Sequence, residues 1–111
     1  MTYDGHLAER TRAVLDGMGL PFEEKKMFGG LAFLVNGHMA VAASGQGGLL
    51  VRADPAEGEQ LISTGKADPM EMRGRPMSGW LRVRTASLGD DDLEAWVDRG
   101  VACATSLPGK A

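Results

Sequence analysis

The stretch "LAFLVNGHMAVAAS", residues 31–44, constrains the fold more than any other. Two apolar runs, each too short for an ordinary helix, flank Asn36-Gly37. Asn-Gly is the favoured pair for a two-residue type I′ turn, because both central residues need a positive φ. The spacing therefore predicts an antiparallel hairpin over 30–44. Both faces of its strands are apolar: Leu31, Phe33 and Val35 on one, Ala32 and Leu34 on the other. A half-buried strand has one polar face, so the middle of this sheet is expected to be covered on both sides. With few helices to supply that cover, a second subunit is expected to contribute. The alternative is that small alanines line a shallow, partly exposed groove.

The rest of the chain supplies the other elements. Leu7, Thr11, Val14, Leu15 and Met18 recur at helical spacing, which predicts an amphipathic helix over Asp4–Met18, ended by Gly19 and Pro21. "FEEKKMF" reads as a lead-in strand or an extended connection. "LLVRA" is a further strand after the flexible turn "SGQGG". Asp54-Pro55 opens a short helix, with Asp54 as its cap and Pro55 at its first position. "MEMRGR" and "GWLRVR" alternate as two more strands around a turn at Pro76-Met77-Ser78-Gly79. A last helix begins in "GDDDLEAW", with Asp91 and Glu94 at capping-box spacing, and buries Leu93, Trp96, Val97, Val101 and Ala104. The order is α-β-β-β-α-β-β-α, an α+β domain with helices packed on an antiparallel sheet. One domain over 1–111 is expected from the length.

Chemistry is sparse. "MFGGLAF" lacks the Gly-Lys-Ser/Thr of a phosphate loop, and "GQGG" opens no helix whose N-terminus would receive a phosphate. His6 and His38 have no second histidine or cysteine at ligand spacing, so no metal site is expected. Cys103, the only cysteine, has no cationic neighbour in the sequence to lower its pKa and reads as an inert, half-buried thiol. Asp90-Asp91-Asp92 is explained by helix capping. No catalytic set and no cofactor are expected, and the chain is read as not an enzyme.

Charge is informative only locally. The net charge is −3, so no global footprint for nucleic acid exists. Yet residues 70–84 hold four arginines against one acid. Arg73, Arg75, Arg82 and Arg84, with Trp80 among them, form a face able to hold a phosphate, an RNA strand or an acidic protein patch. A solvated face neutralised by nearby acids is the plainer reading. The N-terminal stretch has early acids and no apolar h-region, so no secretory signal is expected. No run of about 20 apolar residues exists to span a membrane. A cytoplasmic location is expected.

Three segments together, "KMFGGLAFLVNGHM", "LLVRADP" and "GRPMSGWLRV" before an acidic helix carrying Trp96, resemble the TfoX (Sxy) N-terminal domain family. The family's signature positions fall on Met27, Phe28, Gly29, Gly30, Arg52, Gly74, Arg75, Pro76, Met77, Gly79 and Trp80. The resemblance implies an α+β fold of the type III secretion-chaperone-like kind, often dimeric. It also implies a regulatory role linked to competence and transcription rather than catalysis. Family members usually carry a second, C-terminal domain, and this chain is expected to be a stand-alone version. The leading expectation is a homodimeric protein-interaction module. The alternative is a nucleic-acid or anionic-ligand binder. Arg52, Arg75 and Trp80 are the expected polar and aromatic parts of the surface, unless Arg52 and Arg75 pair with acids such as Asp54 and Trp80 packs in a dimer contact.

Overall fold

A computed structural model describes residues 5–27, 30–45, 47–72, 75–84 and 89–106. Helix α1 (Gly5–Gly17) is followed by β1 (Glu23–Met27), β2 (Gly30–Val35), β3 (His38–Ala43) and β4 (Leu49–Arg52). Helix α2 (Pro55–Ser63), β5 (Asp68–Met72), β6 (Arg75–Val83) and helix α3 (Asp90–Ser106) follow. All strands join one antiparallel sheet in the order β1-β2-β3-β4-β6-β5. The α+β class and the element order agree with the sequence. "FEEKKMF", open between strand and connection, contains a true strand at the sheet's outer edge.

The predicted hairpin forms as its turn chemistry demands. Asn36 and Gly37 have φ of 56° and 80°, the signs that a type I′ turn requires. Its register holds one irregularity. Phe33 faces Val41 and Leu34 faces Met39, so Ala40 is an extra residue on β3. At the start of β2, a Cβ on Gly30 would lie 2.3 Å from the Ala43 carbonyl. Only glycine admits this approach; Phe28 and Gly29 lie outside the described residues.

The helices cover one face of the sheet. Leu31, Phe33, Val41, Leu49, Val51, Leu81 and Val83 point there and meet Leu7, Leu15, Leu93, Val97, Val101 and Ala104. This is the main core, and it includes the stripe predicted on the last helix. Helix α3 crosses β3 closely because Gly100 faces the extra residue: a Cβ there would lie 2.5 Å from the Ala40 carbonyl. The sequence reading did not single out Gly100.

Caps follow local chemistry. Asp54 accepts from the backbone N–H of Glu57, with Pro55 in the first helical turn, as expected. At α3 the cap differs from the Asp91–Glu94 pairing. The Asp92 carboxylate accepts from the Gly89 N–H at 3.3 Å, and the Leu93 N–H donates to the Gly89 carbonyl. Gly89 is thus the cap, and its partner is the acid three positions on. Three consecutive aspartates leave that register undetermined in the sequence.

A helix-free face with an arginine stacked on tryptophan

Among the described residues the opposite sheet face carries no helix. Its central row is set by the register: Lys25, Ala32, Ala42, Leu50, Arg82 and Asp68 lie side by side across all six strands. A neighbouring row brings Arg52 opposite Trp80. Ala32, Ala42, Leu50 and Met70 form a second, small buried cluster, with half-buried Leu34, Met39 and Trp80 packed against it. Part of the expected cover for this face therefore comes from the chain itself. Alanines need little cover, and long side chains from β2, β3, β5 and β6 reach over them.

Arg52 is held in place twice. Its Nε donates to the Met39 carbonyl at 2.7 Å, and its guanidinium carbon lies 4.6 Å from the Trp80 ring centroid. Both partners leave the positive charge on the face, because a carbonyl and a ring do not neutralise it. The expected alternative pairing with Asp54 does not form; Asp54 instead caps α2. Gly79, immediately before Trp80, has φ +87°, and its carbonyl accepts from the Ala53 N–H at 2.9 Å, tying β6 to the end of β4.

The other arginines behave differently. Arg82 donates from Nη1 to Ser44 Oγ at 3.0 Å and to the Gly47 carbonyl at 2.7 Å, so it clasps the turn between β3 and β4. Arg84, exposed beyond β6, pairs with Asp68 at 3.1 Å. Arg73 and Gly74 lie outside the described residues. Arg75, expected to end one strand, and Pro76, Met77, Ser78 and Gly79, expected as the turn, instead all belong to β6, because the strands pair as far as Met72 opposite Arg75, with Pro76 opposite Glu71; Met27 closes β1. The structure thus brings Arg52, Trp80 and Arg82 to one face. The sequence reading missed Leu34, Met39, Ser44 and Asp68 as their partners. Leu34 and Met39 were reachable, since the Asn-Gly turn fixes them as neighbours across the hairpin. Ser44 and Asp68 come near only through longer connections whose register no motif sets.

A groove of about 800 Å3 between the start of α2 and the end of α3 is lined by Arg52, Asp54, Glu57, Asp98, Arg99 and Cys103, among others. This corrects the expectation that Cys103 has no cationic neighbour, because the fold brings Arg52 and Arg99 to its groove from elsewhere in the sequence and one turn away. Arg99, however, is paired with Glu57 and lies over Trp96, and Arg52 is held as described. His6 sits on α1 and His38 opens β3. No group of three metal-ligating side chains occurs among the described residues.

At the outer edge, Arg12 of α1 makes a two-pronged pair with Glu24 of β1, both bonds 2.6 Å. Hydrogen bonding from Arg12 holds the Glu24 carboxyl below its usual range, against the opposing effect of partial burial. Among the described residues no helix is long and apolar enough to cross a membrane.

Comparison with curated proteins and with solved structures gave no match. The family model described as TfoX N-terminal domain matches residues 14–104. That span runs from α1 to the last turns of α3 and contains the whole sheet, including Arg52 and Trp80. The chain belongs to the TfoX N-terminal domain family.

Proposed function

We propose that this chain is a non-enzymatic regulatory module of the cytoplasm. It works as a homodimer and presents its helix-free face to a protein segment that carries apolar side chains beside carboxylates. The observation that carries this reading is the Arg52–Trp80 stack, fixed to the Met39 carbonyl and bordered by Leu34 and Met39. Arginine, tryptophan and methionine are the residues enriched where proteins meet. A pre-positioned arginine loses little freedom on meeting a carboxylate. The link to transcription or competence rests on the family alone.

The nucleic-acid reading draws less support from the geometry. Arg82 is occupied with the β3–β4 turn and Arg84 with Asp68, whereas a phosphate track needs a row of available cations. A random-peptide display selection on the purified chain tests the proposal. Enriched peptides should combine apolar residues with Asp or Glu and should lose binding to the Trp80→Ala variant. Failure to enrich any such peptide, together with salt-sensitive binding of labelled single-stranded RNA or DNA, would replace it with the nucleic-acid reading.

A further inference from the structure

Strand β1 is the open side of the sheet. It pairs with β2 on one side, in an unbroken register from Glu23↔Leu34 to Met27↔Gly30. It has no proline and no bulge. Glu23, Glu24, Lys25 and Lys26 are all exposed. The other outer strand, β5, carries Pro69 and an irregular register between Pro69 and Glu71. Proline and bulges are the devices by which proteins close a sheet edge to further pairing. One edge is thus blunted and the other is left to its charges.

Those charges are self-complementary. In an antiparallel pair, residues directly opposite share a face of the sheet. Two copies related by a two-fold axis normal to the sheet must therefore place one β1 residue opposite itself. With Glu24 on the axis, Glu23 faces Lys25 of the second copy, and this pair occurs twice on the helix-free side. On the helix side, Lys26 lies opposite Phe22 of the second copy, where its stem can cover the half-buried ring. The two central glutamates are each already held by their own Arg12, which offsets their repulsion. Moving the axis by one residue would put Lys25 against Lys25, and Lys25 has no ion pair among the described residues.

We infer that β1 is the dimer seam: two copies of this chain join edge to edge at Glu24 into one twelve-stranded antiparallel sheet. This rests on the homodimer reading above and locates its interface. The axis keeps all helices on one side, so both Arg52–Trp80 stacks lie on the other, on a single continuous face.

Single-cysteine variants in a Cys103→Ser background test the seam, beside light scattering on the unaltered protein. Under mild oxidation Glu24→Cys should cross-link to itself rapidly. Glu23→Cys and Lys25→Cys should cross-link poorly alone and well when mixed. Lys25→Glu should weaken the dimer at least tenfold, and adding Glu23→Lys to it should restore association. A dimer by light scattering without this cross-linking pattern overturns the seam while leaving the homodimer standing. A monomer at every accessible concentration overturns both. Preferred self-linking of Lys25→Cys overturns the register.

Discussion

Gly100 and Ala40 meet backbone to backbone: α3 passes so close to β3 that a methyl group on Gly100 would lie 2.5 Å from the Ala40 carbonyl and 2.8 Å from Val41 Cγ1. Helix propensity alone favours alanine over glycine by about 1 kcal/mol inside a helix. The contact reverses that sign, because neither a carbonyl nor a buried valine has room to yield. Gly100→Ala should destabilise the fold by about 1–3 kcal/mol in urea titration. A stabilised variant would show that α3 lies farther from the sheet.

The two adjacent leucines of β4 belong to different cores. Leu49 is fully buried under the helices, and Leu50 sits in the small cluster on the helix-free face. Leu49→Ala should cost about 3–4 kcal/mol and Leu50→Ala about 1–2 kcal/mol, since the thinner cluster can relax around the loss. Chemical denaturation of both variants checks the ranking.

Arg52→Lys keeps the charge and loses the geometry. Lysine has no Nε–H to reach the Met39 carbonyl while a planar group lies on Trp80. The substitution should cost about 1 kcal/mol. In a Trp96→Phe background, Trp80 emission should shift to the red as its ring gains water. Unchanged emission would mean that the stack does not shield Trp80.

Glu24 binds its proton less readily when folded, because Arg12 bonds to the carboxylate. Its contribution to stability is therefore complete above the ordinary value of 4.5 and fades as pH falls through the lowered folded value. Both side chains are about one-third exposed, at 40% and 30%, so solvent screening holds the contribution to about 0.5 kcal/mol or less. Arg12→Ala should be slightly less stable than the parent at pH 7 and equal to it near pH 2. Denaturation curves at the two pH values make that comparison.

Local chemistry made much of the fold legible. The Asn36-Gly37 turn, the Asp54-Pro55 helix start and the Leu93–Ala104 stripe each follow from a few adjacent residues, and the structure agrees with all three. What escaped depends on contacts between distant segments. Gly100 is an ordinary weak spot in a helix until β3 acquires an extra residue at Ala40. The partner of Arg52 is a backbone carbonyl 13 positions away, and carbonyls carry no sequence signal. The aspartate whose carboxylate reaches back to the Gly89 N–H at the start of α3 could not be chosen among three neighbours. The candidate site was legible as a set of residue types, Arg52, Trp80 and Arg82, and not as a geometry, because their partners depend on the register across the whole sheet.

Pro69 has a consequence for the size of any assembly. A sheet that accepts a neighbour at both ends has a valence of two and can grow without limit, as fibres do. With β5 closed by its proline and irregular register, strand addition here has a valence of one. A pair joined at β1 exposes two closed ends, so growth stops at the pair.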